Sequence, residues 1–157
     1  MMTATNSITL SSATREKLLT YQKNEITEHH IYKRLADAID SPENSQILRD
    51  IAEDELRHYH DWRQYTQEDV EPDRWKIWRY YLISRVLGFT FGVKLMERGE
   101  EDAQEHYADV QHEIPEAERI GLEENEHEEA LLEMLDEERL QYTGSIVLGL
   151  NDALVEL

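Results

Sequence analysis

The 157-residue sequence contains no cysteine, only six glycines and only three prolines. Without cysteine, the chain can form no disulfide, thiolate metal site, iron–sulfur cluster or cysteine nucleophile. The scarcity of glycine and proline argues against a domain of many short strands joined by turns. A hydrophobic fraction of 39% argues against disorder, and a chain of this length can bury a substantial core. These features together favour an all-α fold.

Positive charge is also scarce, because 16 lysines and arginines face 35 aspartates and glutamates, for a formal net charge of −19. Binding to phosphate needs a basic surface, so this balance argues against nucleic acid as the main partner. The same balance is compatible with the binding of cations. The first residues lack the apolar core of a signal peptide, which favours a cytoplasmic setting.

Four segments have the apolar periodicity of α-helices. Residues 40–44 form a turn between the first two segments, and Glu71-Pro72-Asp73 ends the second. Pro115 suits the first turn of the last segment, whose pattern is interrupted at Thr143-Gly144. The predicted helices span residues 12–39, 43–69, 75–110 and 115–141.

Each of the four segments places a glutamate at the centre of its apolar stripe. Positions three and four apart share one face of a helix, and no lysine or arginine lies at the centre of any stripe. The second and fourth segments add a histidine three residues after the glutamate, so that both side chains of each pair reach one interior point. The residues are Glu25, Glu55, His58, Glu100, Glu124 and His127, with Glu97 at the flank of the third stripe.

Carboxylates in an apolar core are costly unless they are neutralised, paired or bound to metal. Four inward glutamates would repel one another, whereas two divalent or trivalent cations would hold them together. Single glutamates from two helices and Glu-x-x-His pairs from two others form the ligand set of di-iron carboxylate bundles. Carboxylate and imidazole ligands suit iron or manganese. The sequence therefore predicts a site for two iron ions, with manganese as the alternative.

The two halves of the chain repeat one pattern. Glu25 is followed by Tyr32 after seven residues and Glu100 by Tyr107, and each half then supplies a Glu-x-x-His pair. The repetition predicts a duplicated helix pair around a pseudo-two-fold metal site. Both tyrosines could instead be ordinary core aromatics. The remaining histidines and several acidic residues are interpreted as facing solvent: Glu53, Asp54, Glu126, Glu129, His29, His30, His60, His106 and His112.

The combination of motifs resembles the rubrerythrin branch of the ferritin-like superfamily. The resemblance covers about residues 12–141 and rests on Glu25–Tyr32, Glu55-Leu-Arg-His58, Glu97-x-x-Glu100 and Glu124-Asn-Glu-His127. It implies a four-helix ferritin-like bundle that binds two Fe²⁺ and uses O₂ or peroxide. Glu97 and Glu100 would both be ligands, while Tyr32 and Tyr107 would hydrogen-bond ligands or supply an electron. The rubredoxin module of rubrerythrins proper is missing.

The last residues resemble a second family. Gly149-Leu-Asn-Asp-Ala-Leu-Val155 is similar to the signature at the start of the first membrane helix in vacuolar iron transporters. A spanning helix needs about 20 apolar residues, more than residues 145–157 provide. The resemblance implies a ferritin-like domain at 12–141, followed at 142–157 by a linker and the start of a membrane span. The alternative is a C-terminal helix that packs on the bundle or in a dimer contact.

Three functional hypotheses follow from these resemblances. The leading one is the cytoplasmic domain of a membrane-bound, homodimeric iron exporter, which senses or oxidises Fe²⁺ before its own transporter domain moves it. Residues 74–96, with five basic residues and no acidic one, could lie at a membrane surface, form the long crossover between the helix pairs or lie in a dimer contact. The other hypotheses are a rubrerythrin-type peroxide-reducing enzyme and a ferritin-like storage subunit.

Overall fold

The chain folds into α-helices wherever the structure describes it. The computed structural model describes residues 10–87 and 110–155, with the backbone alone for residues 87 and 137–155. All regular secondary structure in those ranges is helical, which confirms the all-α prediction. Residues 88–109, which complete most of the third predicted helix, lie outside the described residues. The helices are α1 (Ser12–Ala38), α2 (Pro42–Thr66), α3 (Arg74–Leu87) and α4 (Glu116–Val155).

Local side-chain caps set the bounds of the first two helices. The Ser11 hydroxyl accepts a hydrogen bond from Thr14 N at 3.0 Å, and the Ser41 hydroxyl accepts one from Asn44 N at 3.3 Å. Serine is a preferred N-cap because its oxygen satisfies a free N–H of the first turn. Gln67, with a left-handed φ of 56°, caps the end of α2. The turns predicted at both ends of α2 are therefore present.

The fourth helix is longer than the sequence pattern predicts. The interruption at Thr143-Gly144 predicts an end near Gln141, but the backbone is helical as far as Val155. One glycine inside a helix costs only about 1 kcal/mol relative to alanine, and no proline follows to stop propagation. Among the described helices, none has an apolar stretch of the length needed to cross a membrane.

The helices pack around two apolar clusters, with α1 against α2, α3 against α1 and α4 against α2. The larger apolar cluster joins all four helices and contains Ile31, Tyr32, Leu35, Ala36, Leu48, Ile51, Ala52, Ile77, Tyr80, Leu131, Met134 and Leu135. The smaller apolar cluster joins α1, the end of α2 and the region where α4 begins, and it contains Leu18, Tyr21, Trp62, Val110, Ile114, Ala117 and Ile120.

Candidate metal centre

A polar layer separates the two apolar clusters. It consists of Glu25 on α1, Glu55 and His58 on α2, and Glu124 and His127 on α4, and all five residues are buried. We call these five residues the carboxylate–histidine cluster. On each of the three helices, the residues before and after this layer belong to different apolar clusters. The helix packing therefore aligns the polar stretches of three helices at one level of the bundle.

The donor atoms of this cluster lie close enough to share a cation. One donor atom from each of Glu25, Glu55, His58 and Glu124 lies within 4.8 Å of the others. His127 Nδ1 lies 3.3 Å from Glu55 Oε1. The i, i+3 spacing in α2 and α4 thus brings each glutamate and its histidine to the same interior point, as the sequence predicts.

His58 lies among the three carboxylates. Its Nδ1 is 3.2 Å from Glu124 Oε1, 3.6 Å from Glu25 Oε2 and 3.8 Å from Glu55 Oε2. The His58 ring stacks on the His127 ring with centroids 5.9 Å apart. The two imidazoles and three carboxylates thus concentrate nitrogen and oxygen donor atoms in one buried volume.

Three donor atoms of the cluster make no hydrogen bond in the described part of the chain: Glu55 Oε2, His58 Nδ1 and His127 Nδ1. Buried polar atoms nearly always have a hydrogen-bond partner, so these atoms need an explanation. Carboxylate oxygens and imidazole nitrogens are ligands that iron, manganese and zinc accept. The donor set therefore fits a metal site.

Each histidine is oriented by a carboxylate of the opposite helix. His58 Nε2 lies 2.7 Å from Glu123 Oε2, and His127 Nε2 lies 3.2 Å from Asp54 Oδ2. When each Nε2–H donates to its carboxylate, Nδ1 is left to offer its lone pair to the cluster. Metal-binding histidines are commonly fixed in this way. Because the two contacts run in opposite directions between α2 and α4, they form a reciprocal pair.

Two arginines hold these outer carboxylates. Arg57 contacts Asp54, and its Nη2 lies 3.0 Å from Glu123 Oε2. Arg119 Nη1 lies 2.6 Å from the same oxygen, and Arg119 also contacts Asp61. Partial burial raises the pKa of Glu123, but hydrogen bonds from the histidine and both arginines lower it to about 2. Glu123 is therefore ionised at neutral pH and able to accept the imidazole N–H.

In the absence of a cation, protons neutralise part of the cluster. Burial raises the pKa of Glu55 well above its usual range, and repulsion by Glu25 adds to this effect. Burial lowers the pKa of His58, but the neighbouring carboxylates, Glu124 first, raise it by more. A cation that binds here must displace these protons, so its affinity must increase with pH.

Within the cluster, Glu25 is held in its ionised form. The Trp62 indole N–H donates a hydrogen bond to Glu25 Oε1 at 2.8 Å, and both residues are fully buried. Burial raises the pKa of Glu25, but contacts with His58, Glu55 and Trp62 lower it by more. The Trp62 ring packs against Tyr21 at a centroid distance of 5.7 Å. An aromatic pair of the smaller apolar cluster therefore orients one carboxylate.

The structure brings five of the seven predicted ligands together, namely the whole carboxylate–histidine cluster. The other two, Glu97 and Glu100, lie outside the described residues, as does Tyr107. Tyr32 is fully buried in the larger apolar cluster. Burial of Tyr32 agrees both with a role beside the site and with an ordinary core position.

The interpretation as a solvent-facing residue was wrong for His29, and for Asp54, which is partly exposed, it missed a contact with the cluster. The Asp54 side chain is only 33% exposed and contacts His127. His29 is buried, and its Nδ1 lies 2.6 Å from Ala52 O. Asp54 and Glu123 each precede the histidine of their own motif by four residues, a spacing that places them on its helix face. The predicted exposure is confirmed for Glu53, Glu126, Glu129, His60 and His112, whereas His30 is half-buried and His106 lies outside the described residues.

Comparisons of the chain with protein-family models, with curated proteins and with solved structures find no match. The class of the protein therefore rests on its own fold and site. The described residues form a helical bundle whose buried carboxylate–histidine cluster could hold a metal ion.

Proposed function

We propose that the chain is a ferritin-like, rubrerythrin-type domain that binds two iron ions and oxidises or senses Fe²⁺. The observation that carries this proposal is the convergence of the carboxylate–histidine cluster at one buried level of the bundle. Two Glu-x-x-His motifs and a glutamate from a further helix are most of the ligand set of di-iron bundles. Glu100, with Glu97, would complete that set from the predicted third helix.

Each cluster residue has a role in this proposal. The three glutamates would bind the ions through carboxylate oxygens, and the two histidines would bind through Nδ1, because Nε2 contacts an outer carboxylate. Oxygen and imidazole ligands without thiolates favour iron or manganese over softer metals. When bound, two Fe²⁺ would supply electrons for the reduction of O₂ or peroxide.

The surrounding chain controls water and protons at the site. The two apolar clusters cover the polar layer along the bundle, which limits access of water. Glu55 and His58 would release protons when cations bind, since their raised pKa values favour the protonated forms in the cation-free protein. Tyr32, and Tyr107 from the other half of the chain, would hydrogen-bond ligands or supply an electron.

We further propose that this domain is the cytoplasmic part of a homodimeric membrane protein that transports iron. The resemblance of residues 149–155 to the vacuolar iron transporter signature supports this, and α4 carries a helical backbone through those residues. Oxidation or sensing of Fe²⁺ beside a transporter would serve iron export and detoxification. Sequencing of the gene downstream tests the proposal: further apolar residues that extend this segment to a span of about 20 would support it, and an immediate stop codon would contradict it.

Anaerobic titration with Fe²⁺ tests the metal site. We expect saturation at about two ions per chain, and we expect the double variant Glu55→Ala/Glu124→Ala to bind neither. The matched control is Glu53→Ala/Glu126→Ala, which removes two exposed glutamates from the same helices. Unchanged stoichiometry in the first variant, or an equal loss in the control, would contradict the assignment.

Turnover assays distinguish the uses of such a site. Consumption of O₂ by the Fe²⁺-loaded protein would support ferroxidase activity. Sustained consumption of peroxide with an added reductant would indicate a rubrerythrin-type enzyme instead. Assembly of the purified chain into a large shell, measured by light scattering, would indicate storage.

A further inference from the structure

Five charged side chains cross from α2 to α4 beside the carboxylate–histidine cluster, and we call them the charge ladder. Their contacts alternate in sign, in the order Asp54, Arg57, Glu123, Arg119 and Asp61. Asp54, Arg57 and Asp61 follow one face of α2, while Arg119 and Glu123 are four residues apart on α4. The ladder thus joins the two helices that carry the Glu-x-x-His motifs.

Arg57 has a special place in this ladder, because it contacts both carboxylates that hold the histidines. Its Nη1 contacts Asp54 Oδ1, and its Nη2 lies 3.0 Å from Glu123 Oε2. Asp54 uses its other oxygen, Oδ2, for His127. One planar guanidinium therefore connects the outer partners of both imidazoles.

The chemistry of arginine suits this arrangement. A guanidinium presents its N–H groups in a rigid plane, so it can fix two carboxylates relative to each other, which a lysine ammonium does less well. Isolated surface ion pairs contribute little to the free energy of folding, so stability alone is a weak reason for this bridge. The bridge also fixes the orientation of the two outer carboxylates. A carboxylate that turns toward solvent would no longer orient its histidine.

We infer that Arg57 is a positioning residue for both halves of the proposed metal site. By bridging the two outer carboxylates, it keeps Nδ1 of each histidine directed toward the cluster. The inference rests on the proposed function, because it concerns the same cations. It adds a residue that touches neither the cations nor the histidines and still affects both.

Arg63 provides a matched control for a merely structural role. It lies on the same helix, its side chain is 45% exposed like that of Arg57, and it pairs with Asp69 at 2.8 Å. Asp69 contacts neither histidine of the cluster in the described structure. Loss of an arginine–carboxylate pair is thus common to variants of both residues, whereas loss of the bridge is specific to Arg57.

Anaerobic titration with Co²⁺, whose visible spectrum reports its ligands, measures the effect. We expect Arg57→Gln to weaken binding of both ions by about tenfold, the lower end of the range for outer partners of metal ligands. The Co²⁺ affinity of Arg57→Lys should lie between those of Arg57→Gln and the wild type, because an ammonium keeps the positive charge but lacks the planar N–H groups of the guanidinium. Arg63→Gln should bind Co²⁺ like the wild type.

Nitrogen NMR of the Zn²⁺-loaded proteins gives a readout that a structural role would not move. In the wild type and in Arg63→Gln, both histidines should bind Zn²⁺ through Nδ1. In Arg57→Gln, a fraction should bind through Nε2, because the rings can turn. If thermal melts show that Arg57→Gln does not fold, Arg57→Lys replaces it in this comparison. A fraction of its histidines should likewise bind Zn²⁺ through Nε2.

The outcomes separate this inference from the proposed function. Unchanged Co²⁺ affinity and pure Nδ1 ligation in Arg57→Gln would overturn the role of Arg57 while the site itself stands. Equal losses in Arg57→Gln and Arg63→Gln would overturn it as well. Wild-type protein that binds no Co²⁺ would overturn both the inference and the proposed metal site.

Discussion

The two Glu-x-x-His motifs are alike in sequence but differ in environment. On α2, Glu55 and His58 are 1% and 0% exposed, whereas on α4 Glu124 and His127 are 5% and 6% exposed. His58 Nε2 lies 2.7 Å from its outer carboxylate, compared with 3.2 Å for His127. The two motifs therefore contain the same ligand residues, but the histidine on α2 is more buried and lies closer to its outer carboxylate than the histidine on α4.

The outer carboxylates account for this difference. Glu123, which holds the α2 histidine, contacts two arginines, and its side chain is 24% exposed. Asp54, which holds the α4 histidine, contacts Arg57 and is 33% exposed. A partner that is better fixed and less solvated orients its imidazole more firmly. We therefore expect the α2 half to bind its cation more tightly.

Removal of either histidine should have the largest effect. His58→Ala should lose one ion and weaken the other by at least about a hundredfold, since loss of a ligand exceeds the loss of an outer partner. His127→Ala should lose one ion with a smaller effect on the other. Anaerobic calorimetry with Fe²⁺ measures both, and His60→Ala, at an exposed position of α2, is the control. An equal or larger loss in His127→Ala would remove the asymmetry.

Neutralisation of the outer carboxylates should have the next largest effect. Glu123→Gln should weaken Fe²⁺ binding by about a hundredfold and Asp54→Asn by about tenfold, the two ends of the range for such partners. Glu126→Gln, an exposed position of α4, should leave the affinity unchanged. A larger loss of Fe²⁺ affinity in Asp54→Asn than in Glu123→Gln would show that the difference in burial between the two carboxylates does not decide affinity.

Metal should stabilise the folded protein by an amount that depends on pH. At a free concentration one hundred times Kd, one bound ion adds about 2.7 kcal/mol, or roughly 5–10 °C in melting temperature for a chain of this size. The gain measured by thermal melts with Fe²⁺ or Mn²⁺ should shrink at pH 5.5, where protons compete for the ligands. Equal melting temperatures with and without metal at pH 7 would count against a buried site.

The metal-free protein should itself lose stability as pH rises. The pKa values of Glu55 and His58 are raised from 4.5 and 6.5, so their stabilising contributions are complete below those values and disappear as pH passes the folded-state values. The melting temperature should therefore decrease as pH rises above about 4.5, where Glu55 begins to lose its contribution, and more steeply above about 6.5, where His58 adds to the loss. Glu55→Gln should flatten this decrease and Glu53→Gln should not. A steeper decrease in Glu55→Gln would contradict the direction of the shift.

Deletion of Ser145–Leu157 should have the smallest effect on the site. The motif residues of α4 end at His127, so metal stoichiometry, helix content per residue and cooperative melting should remain nearly unchanged. Self-association should decrease, because the deleted segment is rich in isoleucine, valine and leucine. Analytical ultracentrifugation and thermal melts at matched concentration measure both. A deletion variant that fails to fold would show that this part of α4 belongs to the core.

The bounds of α1 and α2 could be predicted from sequence to within a few residues. Ser11 and Ser41 supply caps that local sequence alone determines, and the turn residues before and after α2 are strong helix stops. The inward direction of Glu25, Glu55 and Glu124 followed from the helical period, because each lies among apolar residues at helical spacing. Local rules were sufficient for these features.

The contacts between α2 and α4 could not be predicted in the same way. Whether Asp54 meets solvent or His127 depends on how two distant helices cross, and a helical wheel of one segment carries no such information. The alternating order of the charge ladder has the same origin. The continuation of α4 past Gly144 was missed for another reason, since a single glycine lowers helix stability without ending a helix.

The most direct test is anomalous diffraction at the iron edge from crystals of the full chain grown anaerobically with Fe²⁺. The account predicts two anomalous peaks per chain, both in direct contact with the carboxylate–histidine cluster and with Nδ1 of each histidine facing a peak. Peaks confined to exposed carboxylates, with none between α1, α2 and α4, would contradict it.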